Sequence, residues 1–198
     1  MRFKTLAIPA FLALALLAGC TMSPRGGGSS IFKSPLATQA GVVDAEEAAR
    51  LISAYRAGQG LGPVTVDPTL MAIARVHSDR MARQNTMAHV LPGEGSFSQR
   101  IAAGGFRASM AAENVAAGQD SLAAVLEAWK KSPGHNANLL LDNVSKIGIA
   151  LTVAPDSKYK TWWTLVLGEW APEGTPMPGQ GPNAGPFISA NGAAITIQ

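Results

Sequence analysis

Three polar residues have side chains that could work together in one site, namely His89, Glu113 and His135. Two neutral imidazoles and a carboxylate are ligand types that zinc accepts, and three protein ligands leave one coordination position for water. Without a metal, a histidine oriented by the carboxylate could act as a general base. The same residues could instead form a structural polar cluster that ties loops to the core, because a buried carboxylate needs partners whether or not it takes part in chemistry.

The surrounding sequence indicates how each candidate is carried. His89 follows a helix and lies in a loop bounded by Pro92-Gly93, where loops held by a rigid scaffold commonly carry function. Glu113-Asn114 lies in a short apolar segment typical of a strand. His135 comes directly after Pro133-Gly134, which predicts the end of one helix near residue 132 and a turn. We therefore expect His135 to project from this turn, with another short helix after it.

The helix before that turn has a clear start and a clear buried face. Asp120 or Ser121 can accept hydrogen bonds from its first free backbone N–H groups. Its apolar stripe consists of Leu122, Val125, Leu126 and Trp129. The segment from 111 to 140 is thus the expected centre of the site.

Other residues with reactive side chains have simpler interpretations. Ser132 could be considered as a nucleophile, but a serine before a proline is more typical of a helix end, and the local sequence gives it no base. His77 shares a helical stripe with apolar residues, so it is predicted to be a packed and hydrogen-bonded structural histidine. No other hydroxyl or thiol nucleophile is evident.

Three earlier helices are predicted from their caps. Asp44 caps the first, with Glu47 placed to reach back to it, and the pair Asp67-Pro68 opens the second. Ser96 and Gln99 form a capping box for a third, short helix, which we interpret as a strut. It runs through Phe97, Arg100 and Ile101.

The strands come late in the chain. Residues 147–153 and 161–168 are β-rich runs, separated by a loop with strong turn chemistry, and predict an antiparallel hairpin. Trp162, Trp163 and Trp170 add large apolar area. Helices on both sides of a central strand, followed by a hairpin, predict an α+β layered domain.

Four segments together resemble the CAP superfamily in its bacterial SCP-like form, over about residues 44 to 170. They are Ala88-His89; Glu113-Asn114-Val115-Ala116 with Gly118; Trp129-Lys130-Lys131-Ser132-Pro133-Gly134-His135 with Asn138-Leu139-Leu140; and Ile147-Gly148-Ile149-Ala150. The resemblance implies a three-layer α-β-α sandwich and a cavity lined by two histidines and two acidic residues, which holds zinc in some members. His89, Glu113 and His135 match three of these positions, with the two histidines as metal ligands. The fourth departs, because Ser132 stands where many eukaryotic members have a glutamate.

The first residues indicate export. A basic start, an apolar run and small residues before Cys20 predict a lipoprotein signal peptide over residues 1–19, with Cys20 as the lipidated first residue of the mature protein. Residues 20–42 are rich in Gly, Ser and Pro and predict a flexible tether, and residues 43–170 form the folded domain. The Pro/Gly-rich tail, 171–198, is expected to be disordered. Thr21 after the cysteine favours the outer membrane, facing the periplasm or the cell surface.

Composition excludes some functions. Without Arg2 and Lys4, 14 basic residues remain against 13 acidic ones, and no basic cluster carries interleaved aromatics, so nucleic acid is not an expected partner. Cys20 is the only cysteine, which excludes disulfide bonds within the chain.

Two functions from different classes remain. The first, which we favour because the fourth acidic position is missing, is a lipid-anchored envelope module that binds a small apolar, peptide or wall-derived ligand in a groove lined by the three candidates. The second is a metal-assisted hydrolase of peptides or envelope esters, which would use His89, Glu113 and His135 with zinc as its cofactor. The sequence leaves open whether the protein is an enzyme.

Overall fold

The computed structural model describes residue 41, residues 43–174 and two short strands, 189–191 and 195–196. Helix α1 spans Ala45–Ala57, and the carboxylate of Asp44 accepts the backbone N–H of Glu47, as the cap predicts. The side chain of Glu47 pairs with Arg50 rather than reaching back to the cap. Because a guanidinium one turn away offers two parallel donors, it outcompetes a single backbone N–H for this carboxylate.

The next two helices also start at their predicted caps. Helix α2 spans Pro68–Gln84, and Asp67 accepts two of its first backbone N–H groups. Helix α3 spans Phe97–Ala103 and has the complete capping box formed by Ser96 and Gln99. The caps therefore fix where both helices begin, independently of what they pack against.

The two helices after the central strand differ from the prediction at one point. Helix α4 spans Leu122–Lys131 and is capped by Ser121. Helix α5 spans Pro133–Leu139, so it begins directly at the proline and His135 lies within it rather than at a turn. The reason is that proline is tolerated in the first helical turn, where its missing N–H would have no partner in any case.

The sheet is mixed. It contains β1 (Thr65–Val66), β2 (Ala108–Ala117), β3 (Lys146–Val153), β4 (Thr161–Trp170), β5 (Ser189–Asn191) and β6 (Ile195–Thr196). The order is β1-β3-β4-β2-β5, and β6 also pairs with β2. β3 and β4 form the predicted antiparallel hairpin, and β4 is also antiparallel to β2. The late hairpin and the central strand are thus immediate neighbours.

The helices pack in two layers on the two faces of this sheet. One apolar cluster joins α1, α4 and α5 to Ala112 and Ala116 of β2, and others join α2 and α3 to Ala111 and Val115. Successive side chains of a strand point to opposite faces, so this alternation defines two separate cores. The predicted three-layer α-β-α sandwich is confirmed.

Arg56 of α1 is fully buried and crosslinks backbone segments rather than pairing with a carboxylate. Its guanidinium donates to the carbonyl oxygens of four residues at 2.7–3.2 Å: Gly62, Leu139, Leu141 and Val144. Burial lowers the pKa of Arg56 from its ordinary value. The side chain therefore holds the end of α5 and the following loop against α1.

The termini of the sequence are described only in part. The predicted signal peptide, Cys20 and the tether other than residue 41 lie outside the described residues. No helix in the described part of the chain is long and apolar enough to span a bilayer. In the tail, β5 and β6 pair in parallel with β2, which departs from the expected disorder at these five residues. The edge of β2 away from β4 offers unpaired backbone groups that a strand can use.

Candidate functional site

Glu113 lies in the middle of β2, faces the α2 and α3 layer, and is 2 % exposed. Arg100 of α3 binds both of its oxygens, with Nη1 2.8 Å from Oε2 and Nη2 2.9 Å from Oε1. His89 Nδ1 lies 2.9 Å from Oε1. The buried carboxylate is therefore matched by a cation and hydrogen-bonded at both oxygens, which is the condition under which burying it is tolerated.

His89 lies where solvent reaches this network. Its side chain is 23 % exposed, and its backbone carbonyl accepts a hydrogen bond of 2.8 Å from Arg100 Nη2. One guanidinium thus binds both the carboxylate and the loop that carries the imidazole. The structure brings His89 and Glu113 together, although 24 residues separate them in the sequence.

His77 has the structural role predicted for it, and it supports the site from behind. Its Nδ1 lies 2.9 Å from both oxygens of Glu94, and its Nε2 lies 2.9 Å from the carbonyl oxygen of Ala88. It also lies 3.8 Å from Glu113 Oε1. The contact with Ala88 holds the residue directly before His89, so His77 positions the loop.

Arg100 and Glu94 belong to this network, but neither was a candidate in the sequence. A signal for Arg100 was present, because it shares one helix face with Phe97 and Ile101 and all three are buried. A charged residue on an apolar stripe must find a buried partner of opposite charge. Glu94 lies in a loop without regular structure and had no comparable signal.

His135 is held by a second network, on α5. Its Nδ1 lies 3.0 Å from the hydroxyl of Ser132, and its backbone carbonyl accepts a hydrogen bond of 3.1 Å from Asn114. Asn138 in turn donates to Asn114 Oδ1 at 2.9 Å. The residue after Glu113 in β2 therefore fixes the helix that carries the second histidine.

The imidazole of His135 is buried and incompletely bonded. Its Nε2 has no hydrogen-bond partner among the described residues. Burial, with a smaller contribution from the nearby His89, lowers the pKa of His135 to about 4. The ring is therefore neutral at neutral pH, and its second nitrogen is buried without a partner.

The three candidates do not form one contact cluster. Glu113 and Asn114 are consecutive in β2, so their side chains point to opposite faces of the sheet, and α5 lies on the side of Asn114. In the described part of the chain no hydrogen bond or ion pair joins the side chain of His135 to that of Glu113. His89 and Glu113 lie together, as predicted. His135 does not contact the carboxylate, but it is close enough to His89 for that ring to lower its pKa.

The residues at this site do not fit the zinc ligand set that the sequence suggested. Both oxygens of Glu113 are bound by a guanidinium, which repels a metal cation from the only carboxylate of the predicted set. No group of three or more His, Cys, Asp or Glu side chains among the described residues has the geometry to hold a metal ion. His89 and His135 alone would supply two ligands, fewer than the three of a catalytic zinc site.

The fold and the site define an α-β-α sandwich with a histidine-carboxylate network below one loop. The chain matches the sequence profile of CAP, the Cysteine-rich secretory protein family, over residues 49–167, more than half of its length. It belongs to this family. Despite the family's description, its single cysteine means that packing rather than disulfide bonds holds the sandwich.

Two curated relatives come from Bacillus subtilis (strain 168). The uncharacterized protein YkwD is 37% identical over 99 residues, which are 50% of this chain and 38% of that protein. The uncharacterized membrane protein YlbC is 30% identical over 111 residues, 56% of this chain and 31% of that protein. The chain thus spans less than two fifths of the length of either relative.

Two solved structures share the fold. An extracellular protein containing an SCP domain from Bacillus anthracis str. Ames has a TM-score of 0.55 at 25% identity, covering 62% of this chain and 39% of that one. An outer surface protein from Borrelia burgdorferi has a TM-score of 0.57 at 24% identity, covering 65% and 97% respectively. The first is described as extracellular and the second as an outer surface protein, and both likenesses show the fold.

Proposed function

We propose that this protein is an exported CAP-domain binding module, anchored to the cell envelope through lipidated Cys20, which binds a small apolar, peptide or wall-derived ligand beside His89 and His135. Membership of a secretory family and the export signal in the first twenty residues support the location. Thr21 favours the outer membrane. The ligand is bound rather than turned over.

The unpartnered Nε2 of His135 is the observation that carries this proposal. A buried ring nitrogen without a partner costs free energy, and a ligand that supplies a hydrogen bond recovers it. The ring is neutral, and its bond to the Ser132 hydroxyl is compatible with either tautomer, so Nε2 donates in one tautomer and accepts in the other. A hydroxyl or an amide can match both and is therefore a better partner than an ion. Peptides and wall fragments carry both groups.

The geometry gives less support to the alternative, a metal-assisted hydrolase of peptides or envelope esters. An efficient general base has a pKa near the working pH, and the pKa of His135 is about 4. Glu113 is bound by Arg100 and His89, so it orients His89 and not His135, and the three residues do not act as one catalytic set. Turnover in a broad hydrolysis screen of metal-free and zinc-loaded protein would favour the alternative.

The test uses the full-length protein in lipid nanodiscs and three kinds of probe: soluble fragments released by digestion of purified cell wall, apolar peptides and acyl compounds. We expect ligand-dependent chemical shifts of the His89 and His135 ring signals, and loss of binding in the His89→Ala, His135→Ala double variant. Gln119→Leu is the matched control, because Gln119 is also buried with unpartnered polar atoms. It lies beyond the end of β2, in the segment that leads into α4.

Binding that survives in the double variant would remove the histidines from the proposal. Equal loss of binding in Gln119→Leu would show that the effect is a general loss of packing. The absence of any shift with wall fragments, apolar peptides and acyl compounds would contradict the binding function itself.

A further inference from the structure

The outer edge of β2, on the side away from β4, is paired with the C-terminal tail of the chain. β5 runs parallel to residues 111–113, and β6 runs parallel to residues 116 and 117. β5 also lies beside α5, the helix that carries His135. Among the described residues, no other strand pairs with this edge. The tail is thus the strand with which a second extended segment would compete for the edge.

A mismatch in length interrupts the pairing of the tail. Asn191 is in register with Glu113 and Ile195 with Ala116, so residues 192–194 of the tail stand against only two residues of β2. One extra residue on one strand breaks the ladder locally. The tail therefore holds the outer edge with two pieces, which are three and two residues long.

Two further features make the tail a weak partner. Strands are usually five or six residues long, and parallel pairing is slightly less stable per residue than antiparallel pairing. Residues 171–188 join β4 to β5, and a chain of that length can reach across about 60 Å. The ends that it joins are about 14 Å apart, two strand spacings across and three residues along. The length of the connection therefore allows β5 to leave the edge without moving β4.

The middle of the outer edge keeps hydrogen-bonding capacity. Successive residues of a strand direct their N–H and C=O groups to opposite sides, so either Asn114 or Val115 faces the outer edge with both groups. The carbonyl oxygen of Val115 accepts the Nε1–H of Trp129 at 3.4 Å, which uses one of its two lone pairs. In either case a strand that continues past Glu113 finds a donor and an acceptor that the interrupted tail does not meet in register.

Small side chains flank the outer edge on both faces of the sheet. Four of the five paired positions of β2 are alanines, and the fifth is the buried Glu113, whose charge is already matched within the domain. The tail has uncharged residues at all five positions. An uncharged partner strand therefore suits this edge, because none of the five positions offers an unmatched charge to pair with.

We propose that the outer edge of β2 binds an extended, uncharged segment of another protein, which pairs in parallel with residues 111–117 in place of the tail. The inference goes beyond the proposed function, because strand pairing uses backbone groups and needs neither His89 nor His135. The tail is then an internal competitor. It lowers the apparent affinity for the partner and covers the edge while the partner is absent.

The test measures the binding of fluorescent peptides to the full-length protein in lipid nanodiscs, with empty nanodiscs as the blank. The parent probe has the sequence of residues 187–198, and the shortened probe lacks Gly192, so that it can pair residue for residue with β2. We expect the shortened probe to bind about tenfold more tightly, through about two additional hydrogen bonds. A parent probe that binds as tightly as the shortened one, or no binding by either, would overturn the proposal.

Two N-methylated forms of the shortened probe show whether its backbone pairs along one side. Alternate residues of a strand direct their N–H groups to the same side, so methylation at Ala190 and Ala193 blocks one side and methylation at Asn191 and Ala194 blocks the other. We expect one form to bind about tenfold or more weakly and the other to keep its affinity. Equal effects of the two forms would contradict strand pairing.

Two variants of the protein test the tail as competitor. Deletion of Gly192 should let the tail pair continuously and weaken binding of the shortened probe about tenfold. The double substitution Ser189→Pro, Ala190→Pro removes an N–H that faces β2, whichever of the two residues supplies it, and should strengthen binding. Deletion of Gly181 and Ala184→Pro change the tail outside both strands and should leave binding unchanged. Equal effects in these controls, or dimerisation through the tail of a second copy, would overturn the proposal.

Discussion

Acidification should destabilise this protein through His135. The fold lowers the pKa of this histidine from 6.5 to about 4, because protonation would place a charge on a buried ring. Between these values the unfolded chain binds a proton that the folded chain does not. The stabilising contribution is therefore complete above pH 6.5, is lost as the pH falls towards 4, and amounts to about 3 kcal/mol. Below pH 4 this residue adds no further loss.

The assay is urea-induced unfolding at closely spaced pH values from 7 to 4, followed by the fluorescence of the buried tryptophans Trp129, Trp162 and Trp163. His135→Gln keeps a polar side chain and does not titrate. We expect wild type to lose about 3 kcal/mol more than this variant across the range. All other titrating groups are shared, so the difference between the two curves isolates His135.

A second measurement removes the smaller of the two causes that lower the pKa of His135. His89 also lowers the pKa of His135, so His89→Gln is expected to raise the pKa of the His135 ring, as followed by its NMR titration. Parallel stability curves for wild type and His135→Gln, or a ring that titrates near 6.5, would refute the reasoning.

Three further predictions concern charge, packing and anchoring. Arg100→Met leaves Glu113 buried without its cation and should lower the free energy of unfolding in urea by about 3–5 kcal/mol. Adding Glu113→Gln to this variant should restore part of the loss. A loss below about 1 kcal/mol contradicts the network. Gly148→Ala would press a methyl group into the backbone of α2 and should lower the free energy of unfolding by about 3 kcal/mol. Gly62 has open space around it, so Gly62→Ala should change the free energy of unfolding by less than about 0.5 kcal/mol. Equal effects of the two substitutions refute the packing argument. Cys20→Ala should abolish metabolic labelling with a palmitate analogue and membrane sedimentation, and a labelled variant would disprove the anchor.

The sequence was sufficient to predict a structural feature wherever that feature depends on residues close together in the sequence. The starts of α1, α2, α3 and α4 were predicted because each is set by one side chain that accepts the first backbone N–H groups. The start of α5 was not, because Pro133 is compatible with both a turn and a first helical residue. Local chemistry does not distinguish these states, and the last residue of the helix, Leu139, packs into the core.

The site was predicted less completely than the helices, for a physical reason. Which face of β2 Glu113 points to depends on how the strand is placed between two helix layers, and a shift of one residue would exchange it with Asn114. The partner of Glu113, Arg100, is set by the tertiary packing of α3 on β2. Residue types therefore predicted the candidates, and only the fold could assign their partners.

The guanidinium of Arg56 has a consequence for where this domain can be cut. It stands near the end of α1 and binds the carbonyl groups of Leu139, Leu141 and Val144. A fragment that starts at residue 49, where the family match begins, would lack the Asp44 cap and the first turn of that helix. Fraying would then spread towards Arg56 and release the loop after α5, so a fragment that keeps His135 in place has to start no later than residue 43.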